Sequence, residues 1–243
     1  MIRIRPAAAR GHFDYGWLDT RYSFSFGDYH DPAHVRFRAL RVLNEDRIQP
    51  GRGFGMHPHA DMEIVTVVVS GFLTHRDSLG TLGTIGPGEV QHMTAGTGIT
   101  HSEFNTSATE PVHLYQVWLI PRQRGLRPGY RQRAFPETER RNRLQAIATP
   151  DGAGDILKIA QDAWVYRASL DAGRLIRYDL APGRHAWLQV IHGRLALNGT
   201  SLGTGDGAAV SAEASLAIIG GFEESAEDRP AAGDAEFLLF DLV

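Results

Sequence analysis

Hydrophobic positions along the chain come in short runs. Residues 35–42, 64–69, 112–120, 175–180, 187–190, 195–197 and 236–242 are apolar or alternate apolar with polar. Long stretches with apolar residues three and four apart are scarce. Turn-forming clusters separate the runs: Ser70-Gly71, Asp77 to Gly80, Gly86-Pro87-Gly88, Gly96-Thr97-Gly98, Asn198-Gly199 and Gly203 to Gly207. Short strands at close spacing with glycine-rich turns predict an all-β chain, a barrel or sandwich. Asn198-Gly199 between apolar flanks predicts a two-residue hairpin, because both residues tolerate the positive φ that a type I′ turn requires.

The texture changes between Pro121 and Pro150. Prolines 121, 128, 136 and 150 punctuate a segment holding Arg122, Arg124, Arg127, Arg131, Arg133, Arg140, Arg141 and Arg143. It reads as a solvated connection between domains, with one short helix near residues 136–144. A patch for an anionic partner is the alternative, and Glu137 and Glu139 dilute its charge. Gly71-Phe72-Leu73 and Gly193-Arg194-Leu195 each open a stretch of similar glycine spacing, half a chain apart. That faint repeat fits a duplicated β-domain. The boundary is placed near residue 135, giving units 1–135 and 136–243.

Composition narrows the function. The chain has 243 residues, 42% hydrophobic and 22% charged, which suits one large or two small soluble domains. It contains no cysteine, so disulfides, thiolate catalysis and cysteine-held clusters are excluded, and any metal must be held by His, Asp or Glu. The net charge of −3 offers no general attraction to nucleic acid, and no nucleic-acid-binding motif is present. No run approaches the ~18 apolar residues of a membrane helix, and no apolar stretch follows Met1 to Pro6 as in a signal peptide. The expected location is the cytoplasm.

Two pairs carry the chemistry. His57-Pro58-His59 and His101-Ser102-Glu103 each place two ligand-type residues two apart. On a strand such residues share a face, about 7 Å apart, and can converge on one ion. Pro58 lacks an N–H, so its strand should lie at an edge or carry a bulge. Gly51, Gly53 and Gly55 precede the pair and permit close backbone approach. If both faces point into one barrel, His57, His59, His101 and Glu103 form a three-histidine, one-carboxylate site with open positions for chemistry. A lone histidine on a strand is ordinarily a core or surface residue, and it is the pairing of the two motifs that argues for a site.

At these residues a resemblance enters. Gly51, His57, His59, Glu63 and Gly71 resemble the first cupin motif, and Gly80, Gly86, Pro87, Glu89 and His101 the second. His57-Pro-His-Ala-Asp-Met-Glu63 and Ala95-Gly-Thr-Gly-Ile-Thr-His-Ser-Glu103 resemble the pirin family more closely. So do Ser23 to Pro32, His113 to Trp118 and Leu238 to Leu242, which are similar to bacterial pirin-like quercetinases. The resemblance implies a bicupin, two jelly-roll-like β-barrels, with metal in the N-terminal barrel only. It implies His57, His59, His101 and Glu103 as ligands, whereas the general cupin pattern would use Glu63. Here Glu63 is expected beside the ligands, orienting an imidazole. His92 is expected to pack in the barrel wall, with pocket lining or substrate binding as alternatives. His75, just before a turn, is expected on the surface. In the second half the ligand positions map to Asp179 and Ala181, and Glu63 to His185, so that barrel is expected to be metal-free.

The implied activity is a dioxygenase that cleaves flavonols such as quercetin with O2, using one divalent transition metal. Fe(II) heads the list, with Mn, Ni, Cu, Co or Zn as alternatives. Glu103 would also be the base that takes the 3-hydroxyl proton. Phe54, Met56, Met93 and Phe104 are candidates to stack on a flat substrate. The alternative is a non-enzymatic metal or redox-sensing regulator that binds a protein partner.

Overall fold

The computed structural model describes residues 1–221 and 234–243. The strands of the first half are β1 (Ile2–Arg5), β2 (Gly11–Asp14), β3 (Leu18–Tyr22), β4 (Leu40–Ile48), β5 (Gly53–His59), β6 (Glu63–Ser70), β7 (Leu73–Asp77), β8 (Leu82–Ile85), β9 (Glu89–Thr94), β10 (Ile99–Phe104), β11 (Val112–Leu119) and β12 (Gly129–Ala134). Those of the second are β13 (Gln145–Thr149), β14 (Leu157–Lys158), β15 (Ala163–Leu170), β16 (Leu175–Asp179), β17 (His185–His192), β18 (Arg194–Leu197), β19 (Thr200–Gly203), β20 (Gly207–Val210), β21 (Ser215–Gly220) and β22 (Ala235–Leu242). Among the described residues the only helical elements are single 3-10 turns at Ala7–Ala9 and Glu137–Glu139. The all-β expectation therefore holds, and no helix there is long and apolar enough to cross a membrane.

The chain divides into two compact units. One comprises Arg10–Phe135 and Thr149–Asp162; the other comprises Met1–Ala9, Pro136–Ala148 and Ala163–Val243. In the first, a large antiparallel sheet runs β12-β9-β6-β11-β4-β3-β2 and a small one β5-β10-β7-β8. Leu18, Ile48, Val68, Val112 and Leu114 of the large sheet pack on Leu73 and Ile85 of the small one. Each such side chain, fully buried, contributes about 1.5–3 kcal/mol. The second unit repeats the plan. Leu188, Val190 and Leu239 of a sheet containing β20-β17-β22-β15 pack on Leu195, Leu197 and Ile218 of the sheet β16-β21-β18-β19.

The repeat read from the glycines has a physical cause. Gly71 and Gly193 adopt φ of 75° and 78° in equivalent turns. A Cβ on Gly71 would lie 2.5 Å from the carbonyl oxygen of Pro111, and one on Gly193 would strike the carbonyl oxygen of Asp234. Both turns pass so close to the neighbouring strand that only glycine fits. Asn198 and Gly199, at φ 47° and 82°, form the expected hairpin turn between β18 and β19.

Two expectations are corrected. Of the run at residues 35–42 only the last three residues are strand; β4 begins at Leu40 and continues through Asn44, Glu45 and Asp46. A tight reversal pairs Phe37 with Leu40, with Arg38 at φ 55°, and it breaks the apolar run. The helix near residues 136–144 reduces to the one turn Glu137–Glu139. Asn142 at φ 57° ends the region, and Arg140 turns inward to Glu236 instead of facing solvent.

Candidate metal centre

Alternation along β5 turns His57 and His59 to one face. As expected for a strand that carries Pro58, β5 lies at the edge of its sheet. Among the described residues it pairs with β10, with His101 opposite His57 and a bulge before Glu103, which stands opposite Phe54. On the other side of β10, His101 pairs with Asp77 and Glu103 with His75.

The three imidazoles converge. The ligand atoms of His57, His59 and His101 lie within 4.8 Å of one another, and the ring centroids are 4.5–4.9 Å apart. His57 Nδ1 lies 2.7 Å from the carbonyl oxygen of Gly55 and donates to it, leaving the Nε2 lone pair free. His101 is buried, and its Nε2 has no partner among protein groups. Burial, with His57 adding to it, pushes His59 down to about 4. Burial and the neighbouring His57, His59 and His75 push His101 down to about 3. Both rings are therefore neutral at pH 7, the form that coordinates metal.

Glu103 is buried beside them. Its Oε1 accepts from Gln91 Nε2 at 2.6 Å and its Oε2 from Gln116 Nε2 at 2.9 Å. Burial pushes its carboxyl up to about 7; the Gln91 and Gln116 bonds oppose the shift and Asp46 adds to it. Glu103 clusters with His75 and His101, not with all three of His57, His59 and His101.

The histidines and Glu103 line a cavity of about 210 Å³. Leu18, Tyr22, Phe26, Phe54, Ile64 and Trp118 form its apolar walls, and Asn44, Asp46 and Gln116 are its other polar groups. Trp118 sets its ring edge-on to His59 at 4.8 Å. Of the four expected stacking residues, Phe54 lines this cavity. Met56 and Phe104 are exposed, and Met93 packs with Ile64, Ala95 and Ile99.

His75 is the clearest departure. It was expected on a surface turn but is fully buried on β7, with Nε2 3.0 Å from Asp77 Oδ2 and Nδ1 3.3 Å from His101 Nδ1. On β7 it alternates in step with buried Leu73 and Asp77, while Thr74 and Arg76 are less buried. Glu63 orients an imidazole, but that of His92, whose Nε2 lies 2.8 Å from Glu63 Oε2. Glu63 Oε2 also accepts from Thr94 and from the backbone N–H of Ala160. His92 is buried there, on the face of β9 opposite to Gln91. In the second unit, His185 Nδ1 contacts Ser211 Oγ at 2.9 Å.

Comparison with known proteins accounts for the whole chain. The family model Pirin matches residues 3–119, and the model Quercetinase C-terminal cupin domain matches residues 146–242. A curated relative from Escherichia coli K12, named quercetin 2,3-dioxygenase, is 43% identical over 242 residues, covering 100% of this chain and 99% of its own. The crystal structure of YhhW from Escherichia coli superposes with a TM-score of 0.92 at 42% identity, covering 100% of this chain and 98% of that one. Bacterial pirin YhhW in complex with nickel(II) gives a TM-score of 0.90 at 42% identity, with 100% and 99% covered. Two stacked-sheet units, a histidine cluster in the domain that the Pirin model matches, and similarity from end to end together place the chain in the pirin family, as a bicupin.

Proposed function

We infer that this pirin is a metal-dependent dioxygenase of the quercetinase type, acting with O2 on a flavonol such as quercetin. One observation carries the reading: three imidazoles converge, with His101 Nε2 lacking any protein partner, in a cavity walled by aromatic side chains. The relative named quercetin 2,3-dioxygenase and the nickel-bound YhhW support the reaction class and a divalent ion. His57, His59 and His101 would hold that ion, with Glu103 as the fourth ligand. Nitrogen donors with one carboxylate accommodate Fe(II) first in our reading, and Mn, Ni, Cu, Co or Zn as well. Bound there, the ion would supply Lewis acidity toward the flavonol oxygens and the redox access that O2 requires.

The chain's own groups divide the remaining work. Tyr22, Phe26, Phe54 and Trp118 would flank the flat rings and exclude water. Asn44 Oδ1 is buried with no partner among protein groups and would accept a substrate hydroxyl proton in a hydrogen bond. Glu103 would take the 3-hydroxyl proton, since a carboxyl near neutrality can accept and release it at working pH.

The test is metal-free protein reconstituted with each ion separately, followed by oxygen uptake with quercetin. Uptake that tracks bound metal and disappears in Glu103→Ala is the expected result. One ion bound per chain with no uptake on any of them would overturn the dioxygenase reading and leave a metal-dependent binding protein.

A further inference from the structure

Behind the histidine cluster lie two buried polar residues, His75 and Asp77, to which the proposed reaction assigns nothing. Asp77, His75 and His101 form a line across β7 and β10, with Asp77 opposite His101 in the register. The side chains of His75 and Asp77 are fully buried. Tyr130 stacks on the His75 ring at 4.5 Å and 25°, and its hydroxyl is held by Gln91 and Gln132, so the ring is clamped.

Hydrogen-bond bookkeeping assigns every proton on this line. Asp77 Oδ1 accepts from the backbone N–H groups of Leu79 and Thr81 at 2.9 and 3.0 Å. Its Oδ2 is an acceptor 3.0 Å from His75 Nε2, so that nitrogen carries a hydrogen. A neutral His75 then has its lone pair on Nδ1, 3.3 Å from His101 Nδ1. Two lone pairs facing each other would repel, so His101 Nδ1 is the donor. The lone pair of His101 is thereby placed on Nε2, the buried atom without a partner. The chain of donors ends on the one acceptor that faces the cluster.

We propose that Asp77 and His75 are positioning residues that fix the tautomer and ring orientation of His101, presenting its Nε2 lone pair to a divalent metal. The inference rests on the metal-site reading of the cluster but not on any substrate. It also explains why a carboxylate and an imidazole are buried at positions that apolar side chains could fill. Partners that orient a ligating imidazole in this way typically change metal affinity by about 10–100-fold when removed.

Asp77→Asn tests it with almost no change in shape. The amide oxygen keeps the bonds from Leu79 and Thr81, and the NH2 group then faces His75 Nε2. His75 must accept there, move its proton to Nδ1 and donate to His101 Nδ1. His101 Nε2 is left protonated and must give up that hydrogen, against the relay's preference, before it can bind metal. Two readouts apply to the full chain. The imidazole 15N shifts of metal-free protein report the tautomer directly, and chelator competition with Ni(II) alone reports affinity. The expectation is a Nδ1–H tautomer of His101 in the wild type, a Nε2–H tautomer in Asp77→Asn, and Ni(II) affinity lowered about 10–100-fold. In a His75→Phe background the further effect of Asp77→Asn on Ni(II) affinity should vanish, since the relay is already broken.

A Nε2–H tautomer in the wild type would overturn the proposal. So would Ni(II) affinity within twofold of wild type in Asp77→Asn, or an equal loss from Asp77→Asn in both backgrounds. If the wild type binds no Ni(II), the metal-site reading fails, and the 15N shifts still decide the relay.

Discussion

The backbone approach at Gly53 gives the sharpest quantitative test of how the site is held. Three glycines precede the histidine pair, and the structure distinguishes them. A Cβ on Gly53 would lie 2.5 Å from Phe104 Cα and would press on the Glu103 carbonyl oxygen, where ordinary contact begins at 3.4 Å. Nothing lies within 4 Å of a Cβ on Gly55 or Gly51, and of these only Gly51 has a positive φ, 66°. The blocking atoms nearest to Gly53 are backbone, so relief requires β5 to part from β10 by at least roughly 0.9 Å. Functional constellations must be held within about 0.5 Å, and His57 and His59 ride on the strand that moves. The cost of Gly53→Ala is placed near the upper end of the overpacking range, about 3 kcal/mol. At roughly 2–4 °C per kcal/mol for a domain of this size, Tm should fall by about 6–12 °C. Gly51→Ala should cost about 1–2 kcal/mol for its left-handed backbone alone. Gly55→Ala should be neutral or stabilising by about 0.5–1 kcal/mol, because alanine has less backbone freedom to lose in a strand. Thermal denaturation of the three metal-free variants, with Ni(II) titration of each, checks the ranking. A Gly53→Ala protein with wild-type Tm and Ni(II) affinity, or a Gly55→Ala protein damaged as much, would refute the reasoning.

Three further outcomes are expected. Burial pushes the Glu45 carboxyl up, but the hydrogen bond from His113 and the buried Arg10 guanidinium more than offset it and hold it well below the usual range. The stability this gives is complete above the unfolded value of about 4.3 and is lost as pH falls below it; Arg10→Met should cost about 3–5 kcal/mol near neutral pH and flatten the acid limb of a Tm-against-pH curve. Asn44→Leu should raise KM for quercetin while Ni(II) stoichiometry stays at the wild-type value, measured by steady-state oxygen uptake and metal analysis. Leu239→Ala, in the core of the second unit, should lower stability by about 2–5 kcal/mol, read by denaturant unfolding, without changing the Ni(II) affinity of the folded protein.

What the chain's order of residues determined by itself was local. The period of two in a strand makes His57-Pro58-His59 and His101-Ser102-Glu103 legible as same-face pairs, and Pro58 announces an edge strand because it lacks a donor. Asn198-Gly199 and the twin glycines at 71 and 193 announce turns, because positive φ is costly for other residues. Only the tertiary structure decided which faces look inward. β4 was hidden because Glu45 and Asp46 are charged yet buried, stabilised by Arg10, His113 and Thr20, which lie far away in sequence. His75 was hidden for the same reason: beside an exposed turn it reads as solvated, and its burial depends on Tyr130 and His101 arriving from other strands. Tyr22, Phe26 and Trp118 become cavity walls only when β3, the segment after it and β11 meet across the sheet. Strand periodicity is a property of neighbours in the chain, whereas burial of a polar group depends on partners that the fold must bring to it.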